Sequence, residues 1–340
     1  MSILDGQLHV GAEEEFAVEA TPTVSIETMS DSIVEQREAL ETLAYRANLM
    51  ALRLDRTKLL PQGATGTIEA PLLSSGLELL LASAVGDYFF TPGATVDDAN
   101  RHDFVAGGNA SPVSLTAVIG RPDVNGVVRG FTYVGGSCTS FTITQGVNEV
   151  AALNLEMDFA DELIADNPTM PTPAYPADAV QLHWTDCLVE IDLADGEGFV
   201  PLDTKSFQMT VGQNRDVDRR FLRQSHYKKR QVRKGVPEVE GEFSGEFEGM
   251  ELYRAVKEGR IVKIRTTWNV DVGEQDDAQL IVELPAVQFR AEGPINSMDD
   301  LPEISLGFRA LDAGETYNGI PALARVSVLN YTGELTLPGA

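Results

Sequence analysis

Two stretches of the chain carry one pattern: Ser75–Gly86, S-G-L-E-L-L-L-A-S-A-V-G, and Glu248–Gly259, E-G-M-E-L-Y-R-A-V-K-E-G. At an offset of 173 residues, Gly76, Glu78, Leu79, Ala82 and Gly86 meet Gly249, Glu251, Leu252, Ala255 and Gly259. Each copy reads as one short amphipathic helix. In the first, Leu77, Leu80, Leu81, Ala84 and Val85 recur at helical spacing and form a single apolar stripe. Ser75 and Glu78 have the spacing of a capping box, and Gly86 suits the left-handed position that ends a helix. Helices this short are marginal alone, so each must lie on something larger. The surroundings of both read as β-strand.

Outward from the helices the order of elements repeats. Val34-Glu35-Gln36-Arg37-Glu38 resembles Val211-Gly212-Gln213-Asn214-Arg215-Asp216 with one gap. Each is followed by a long excursion, a glycine (Gly63, Gly235), a strand, the helix and a closing set of strands. This shared order predicts a duplicated β-domain. The expected division is an N-terminal arm over 1–22, a first domain over 23–164, a linker over 165–179, a second domain over 180–330 and a tail over 331–340. The linker holds Pro168, Pro171, Pro173 and Pro176, which stiffen a chain and cannot join a central strand. The arm, with Glu13, Glu14 and Glu15, shows no core pattern and is expected to pack on a neighbour. Asn125-Gly126 marks a tight hairpin, and Cys138–Thr144 and Ala152–Phe159 alternate as half-buried antiparallel strands do. Glu35–Pro61 has a helical period (Leu40, Leu43, Ala47, Met50, Leu54) and is read as a helix, although both flanks look like strands of one ladder.

Composition narrows the class. A length of 340 residues with 43% hydrophobic content suits two globular domains, and 30 Gly and 17 Pro lean towards a turn-rich β fold. The formal charge of −26 disfavours binding to nucleic acid or to anionic membranes; solubility or a halophilic host would also account for it. Two cysteines, Cys138 and Cys187, are too few for a disulfide framework. The N-terminus lacks the pattern of a signal peptide and no apolar run suits a membrane helix, so a soluble, cytoplasmically folded protein is expected.

No catalytic reading can be assembled. His9, His102, His183 and His226 share no metal-ligand spacing, and nucleophile-elbow, zinc-protease and P-loop patterns are absent. The acidic loops Asp192–Glu197 and Asp271–Asp277 lack the ligand spacing of an EF-hand. The expectation is no enzyme, no metal and no cofactor. One segment does stand out. Arg219, Arg220, Arg223, Lys228, Lys229, Arg230, Arg233 and Lys234 give +7 over Asp218–Gly235, against −33 for the rest of a chain whose net is −26. It reads as a docking arm for the acidic surface of another copy, as a solvated loop, or as a nucleic acid contact. The negative field of every other copy favours the first, since self-docking would be steered and fast.

The helix start Gly249–Leu252, the run I-V-E-L-P-A-V-Q-F at Ile281–Phe289 and the closing Leu306–Asn330 resemble the tail tube proteins of long-tailed bacteriophages, in particular those of siphovirus type. Gly11–Phe16, Gly66–Leu72 and Gly135–Phe159 are similar too. The resemblance implies a mainly β fold: two tube domains, each a β-sandwich or partial barrel with one flanking helix, their inner strands closing into a ring-spanning barrel. It further implies rings that stack into a tube, self-association as the main partnership, and contacts with tape measure, tail terminator and distal tail proteins. DNA would pass along the lumen without specific binding, and the protein would reside in the virion tail after assembly in the host cytoplasm. Family rings have six domains, so two per chain imply a trimeric pseudo-hexamer, with a hexamer of full chains as the alternative. The basic excursion Arg219–Lys234 falls where the family places a ring-stacking loop. A decoration, baseplate or shell β-protein that forms no tube is the competing expectation.

Overall fold

The computed structural model describes residues 6–41, 51, 53–95, 98–108, 113–164, 170–177, 179–193, 198–246, 250–272, 277–291 and 303–337. The first half contains β1 (Gln7–Ala12), β2 (Val24–Ile26), β3 (Ser30–Asp31), β4 (Val34–Glu41), β5 (Thr57–Pro71), α1 (Glu78–Ala84), β6 (Asp87–Thr91), β7 (Asn100–Ala106), β8 (Leu115–Pro122), β9 (Val128–Gly146), β10 (Ala152–Phe159) and β11 (Asp161–Leu163). The second contains β12 (Cys187–Asp192), β13 (Val200–Pro201), β14 (Thr204–Gly212), β15 (Arg215–Asp216), β16 (Val232–Arg233), β17 (Glu238–Glu246), α2 (Met250–Glu258), β18 (Ile261–Val270), β19 (Ala278–Ala291), β20 (Glu303–Ala310), β21 (Thr316–Tyr317), β22 (Ile320–Pro321) and β23 (Ala324–Asn330). The protein is mainly β, and every described pairing is antiparallel.

The halves pair their strands in the same order. In the first, hydrogen bonds run β4–β5–β10–β9–β8–β1–β2, with β11 also on β9. In the second they run β14–β17–β20–β19–β18–β12–β13, with β23 also on β19. The 19-residue β9 serves two layers, pairing with β8 before its bend and with β10 after it. The bend falls at Gly135-Gly136. Gly135 has φ +68°, and a Cβ on Gly136 would lie 2.3 Å from the Phe159 ring, so both positions need glycine. Leu8, Ile68, Tyr133, Phe141 and Leu153 fill the space between the layers.

The halves also join each other. β9 pairs β14 from Ser140↔Gly212 to Gly146↔Ser206, making one eight-strand run, β4–β5–β10–β9–β14–β17–β20–β19. In addition β6 and β7, an insertion of the first half, pair onto β23 of the second. D-Y-F-F-T at Asp87–Thr91, aromatic and ended by Pro92-Gly93, carried a strand signal that the helix before it obscured.

Three expectations need correction. Residues 7–12 are not a free arm: β1 pairs β8 and β2 of its own chain. Glu13 holds the next turn from inside, accepting Ser114 Oγ, Thr116 Oγ1 at 2.9 Å and the Gly135 amide at 2.7 Å. The helix read over 35–61 is a hairpin of β4 and β5 with a short 3₁₀ turn at Leu54–Arg56, because ladder pairing overrode a helical period that had no apolar surface to lie on; residues 42–50 and 52 lie outside the described residues. The capping box at Ser75 does not form. α1 begins later, and Glu78 turns back to accept the Gly76 amide at 2.9 Å. Cys138 and Cys187 are both free thiols, the first buried and the second half-buried. The linker residues 170–177 lie against the first half, where Ala174 N donates to Ser25 Oγ at 2.7 Å and Pro176 covers Gly76.

Candidate assembly surfaces

Strand alternation gives the eight-strand run two faces. One is core, with Ile68, Leu155, Phe141, Val211, Phe243 and Phe308 all buried. The other is polar along its middle. Register places Glu69, Asn154, Thr142, Thr210, Glu240 and Arg309 in one row across neighbouring strands. The next row holds Thr144, Gln208, Glu242 and Gly307. Hydroxyls bond across strands, Thr142 to Thr210 at 2.9 Å and Ser206 to Ser244 at 2.6 Å. The two arginines on this face lie beside carboxylates, Arg290 at 3.0 Å from Glu240 and Arg309 at 3.4 Å from Glu238. Carboxylates outnumber cations here, so a phosphate chain running along it meets net repulsion. This face was not identified from sequence. The signal was present as Thr, Ser and Glu at every second position of β9, β14 and β17, but the alternate residues looked like ordinary solvated ones.

The run ends in an unpaired edge. Among the described residues β4 pairs only with β5, and Val34, Leu40 and Leu59 of this hairpin are about half exposed, while Leu54 is 92% exposed. An open edge with apolar side chains beside it is a template for pairing with another chain.

The basic segment is folded down over the first half. Lys228 Nζ lies 2.7 Å from Asp158 Oδ1, both side chains 6% exposed. Gln231 completes the pair, donating to Asp158 Oδ2 at 2.7 Å and accepting from Ser137 Oγ. Burial pushes the Asp158 carboxyl up from its usual range, and the Lys228 ammonium opposes that shift. Arg220 donates to the Gln62 carbonyl, and Arg233 to the Gly108 carbonyl and Gln213 Oε1. Arg219 and Arg223 brace the turn through the carbonyls of Arg230 and Tyr227. Thus Lys228 is buried, Arg219, Arg220 and Arg233 are half-buried, and Arg223, Lys229, Arg230 and Lys234 stand in solvent. Arg219, Arg223, Lys228, Lys229 and Arg230, with Phe16, Ala17 and Tyr227, line a hollow of about 440 Å³. Sequence reading brought the eight cations together but missed that one is a buried ion-pair partner; Asp158, the residue that would have revealed it, lies 70 positions away.

The family model described as phage tail tube protein matches residues 4–310. The chain belongs to this family. A comparison with curated proteins finds no match. As a phage tail tube protein it is a structural, β-rich component of the bacteriophage tail. Among the described residues of this tail tube protein, no three His, Cys, Asp or Glu side chains converge as a metal site would require, and no helix is long and apolar enough to cross a membrane.

Proposed function

We propose that this tail tube protein assembles into stacked rings in a siphovirus-type tail, with the polar sheet face turned to the lumen through which DNA leaves the virion. The observation that carries the reading is the eight-strand sheet with one polar face and an unpaired edge at β4. Three such sheets joined edge to edge would hold about 24 strands. At ~4.8 Å per strand the wall would be ~115 Å around and ~37 Å across, and strand tilt would widen it. Barrels of 16–18 strands already leave an aqueous channel. The matching pair orders of the two halves support a duplicated tube domain bounded near 165–179, and hence a trimeric pseudo-hexamer rather than a ring of six full chains. Hydroxyls and carboxylates along the lumen offer DNA neither a stacking platform nor a cation track, so it slides without specific binding.

The exposed Arg223, Lys229, Arg230 and Lys234 are the ring-stacking contacts in this reading, the hollow lined by the first three receiving an acidic segment of the adjacent ring. Lys228 anchors the loop that presents them. Tape measure, tail terminator and distal tail proteins would bound the tube, which assembles in the host cytoplasm.

Electron microscopy of the purified protein without imposed symmetry tests the assembly. Hollow rods with three chains per ring are expected; six chains per ring would overturn the pseudo-hexamer, and isolated particles would favour a virion β-protein that forms no tube. Reversing Arg223, Lys229, Arg230 and Lys234 to Glu should leave rings but abolish rods, and intact rods at low salt would remove the basic loop from stacking.

A further inference from the structure

The junction between the halves lies within one chain, so its side chains are on view. Past the end of β14 the backbone turns under α1. Gln213 Nε2 donates to the carbonyls of Ala84 and, at 2.9 Å, Val85. Arg215 donates to the Ser83 carbonyl at 3.4 Å and to the Cys138 carbonyl at 2.9 Å. Both side chains are buried. The last carbonyls of a helix have no intrahelical donor and carry the negative end of its dipole, which an amide and a guanidinium suit. Burial pushes the Arg215 guanidinium down to about 10. Among the described residues no carboxylate bonds to it; its acceptors are the Ser83 carbonyl at the helix end and the Cys138 carbonyl.

α2 lacks this cover. Its residues Lys257 and Glu258 stand 173 positions after Ala84 and Val85, and no side chain among the described residues donates to their carbonyls. The strand that takes the place of β14 in the first half is β4: Val34, which the repeat aligns with Val211, lies opposite Thr65 of β5 as Val211 lies opposite Val239 of β17. Gln36 and Arg37 come next, as Gln213 and Arg215 follow Val211. Both are exposed, and among the described residues Arg37 bonds to the neighbouring Glu35 alone. They cannot reach α2 of their own chain: β4 is the first strand of the eight-strand run, and α2 packs against β19, the last.

We infer that Gln36 and Arg37 of one copy cap the carboxyl end of α2 in a second copy, repeating between chains the contact that Gln213 and Arg215 make within one. The inference rests on the ring proposed above and names the residues of its closure. Arg37 would meet the helix end and Glu258 together, and the hairpin of β4 and β5 would cover the exposed flank of α2.

The test uses the full chain with Arg37→Cys and Glu258→Cys together. Both sites are exposed, and the native thiols interfere little because burial pushes Cys138 and Cys187 up to about 12. A short bismaleimide should give covalent multimers ending at the trimer in the double variant and none in either single variant. Rings seen by microscopy without these cross-links would overturn the inference and leave the ring reading standing. Absence of both rings and cross-links would remove the two together, and cross-links mapped within a single chain would also overturn it. As a second arm, Arg37→Glu should lower ring yield at least tenfold at an unchanged subunit melting temperature. Undiminished ring formation by Arg37→Glu would overturn the capping role.

Discussion

α1 and α2 carry the same sequence signature and opposite surroundings. Every residue from Pro71 to Val85 is buried, including Glu78 and Ser83 on the polar side of α1. In α2 only Ala255 and Val256 are buried, and Met250 is more than half exposed. The difference does not come from helix chemistry, since the two share their Gly-x-Glu-Leu start and their terminal glycine, with φ +135° at Gly86 and +65° at Gly259. It comes from what lies across the junction. The first helix is enclosed by the Gln213–Arg215 turn, the linker at Pro176 and the tail beyond β23, all supplied by sequence more than 90 residues away. The second is left with the β19 strand beneath it. A helix that is amphipathic on paper is thus half of an interface, and the chain provides the other half only once.

Removing the clamp over the first half should have the largest effect. Asp158→Ala leaves the Lys228 ammonium buried without its partner, and breaking such a pair costs about 3–5 kcal/mol. The denaturant midpoint should fall accordingly, and Asp158→Leu with Lys228→Met should recover most of the loss. Equal stability of the single and double variants would show that the pair does not hold the segment down.

The helices themselves give the next test. Leu79 and Leu252 occupy the same place in the repeat, and Leu79 is 6% exposed while Leu252 is half-buried. Leu79→Ala should cost about 2–5 kcal/mol in the isolated subunit, in the usual range for a core leucine. Leu252→Ala should cost less than about half of that. Assembly should raise the cost at Leu252 by covering it, so measuring both variants as subunits and as rings sharpens the contrast. Equal losses in the free subunit would contradict the burial difference.

Much of this was legible in advance. Strands of strong alternation, Cys138–Thr144 and Ala152–Phe159, were read correctly because the pleat imposes its period wherever one face is buried. The Asn125-Gly126 turn was read from its residues, and Gly126 has the positive φ it requires. Glu35–Pro61 misled because Leu40, Leu54 and Leu59 are apolar without being core; their spacing carried no information about a helix face. The linker was read as a boundary; of its prolines, Pro171, Pro173 and Pro176 lie among the described residues, outside any strand. That β9 and β14 continue one sheet across that boundary is a long-range pairing which local pattern cannot express. For the same reason the basic cluster was visible and its anchor at Asp158 was not.

The smallest effect concerns the other end of α1, where the comparison turns on one histidine. Glu78 accepts from Asn330 and Thr332, and Thr332 also meets His102, whose Nδ1 lies 3.0 Å from Tyr88 Oη. His102 is fully buried, and desolvation holds its pKa below the ordinary value of 6.5 although Glu78 and Asp103 pull it upward. A histidine depressed in the folded state contributes stability that is present above its unfolded pKa and is lost as pH falls through its folded pKa. Acidification below pH ~6.5 should therefore loosen the tail from α1 first, at up to about 1.4 kcal/mol per pH unit from this group. Asp161 and Glu162, which burial shifts upward, work in the opposite direction as pH falls, so the observable is a difference. Melting curves of the native chain and of His102→Gln from pH 7 to pH 5 should converge as pH falls, the native chain losing more. Parallel curves would mean that His102 binds its proton equally in the folded and unfolded chain, so that it gives the cover over α1 no dependence on pH.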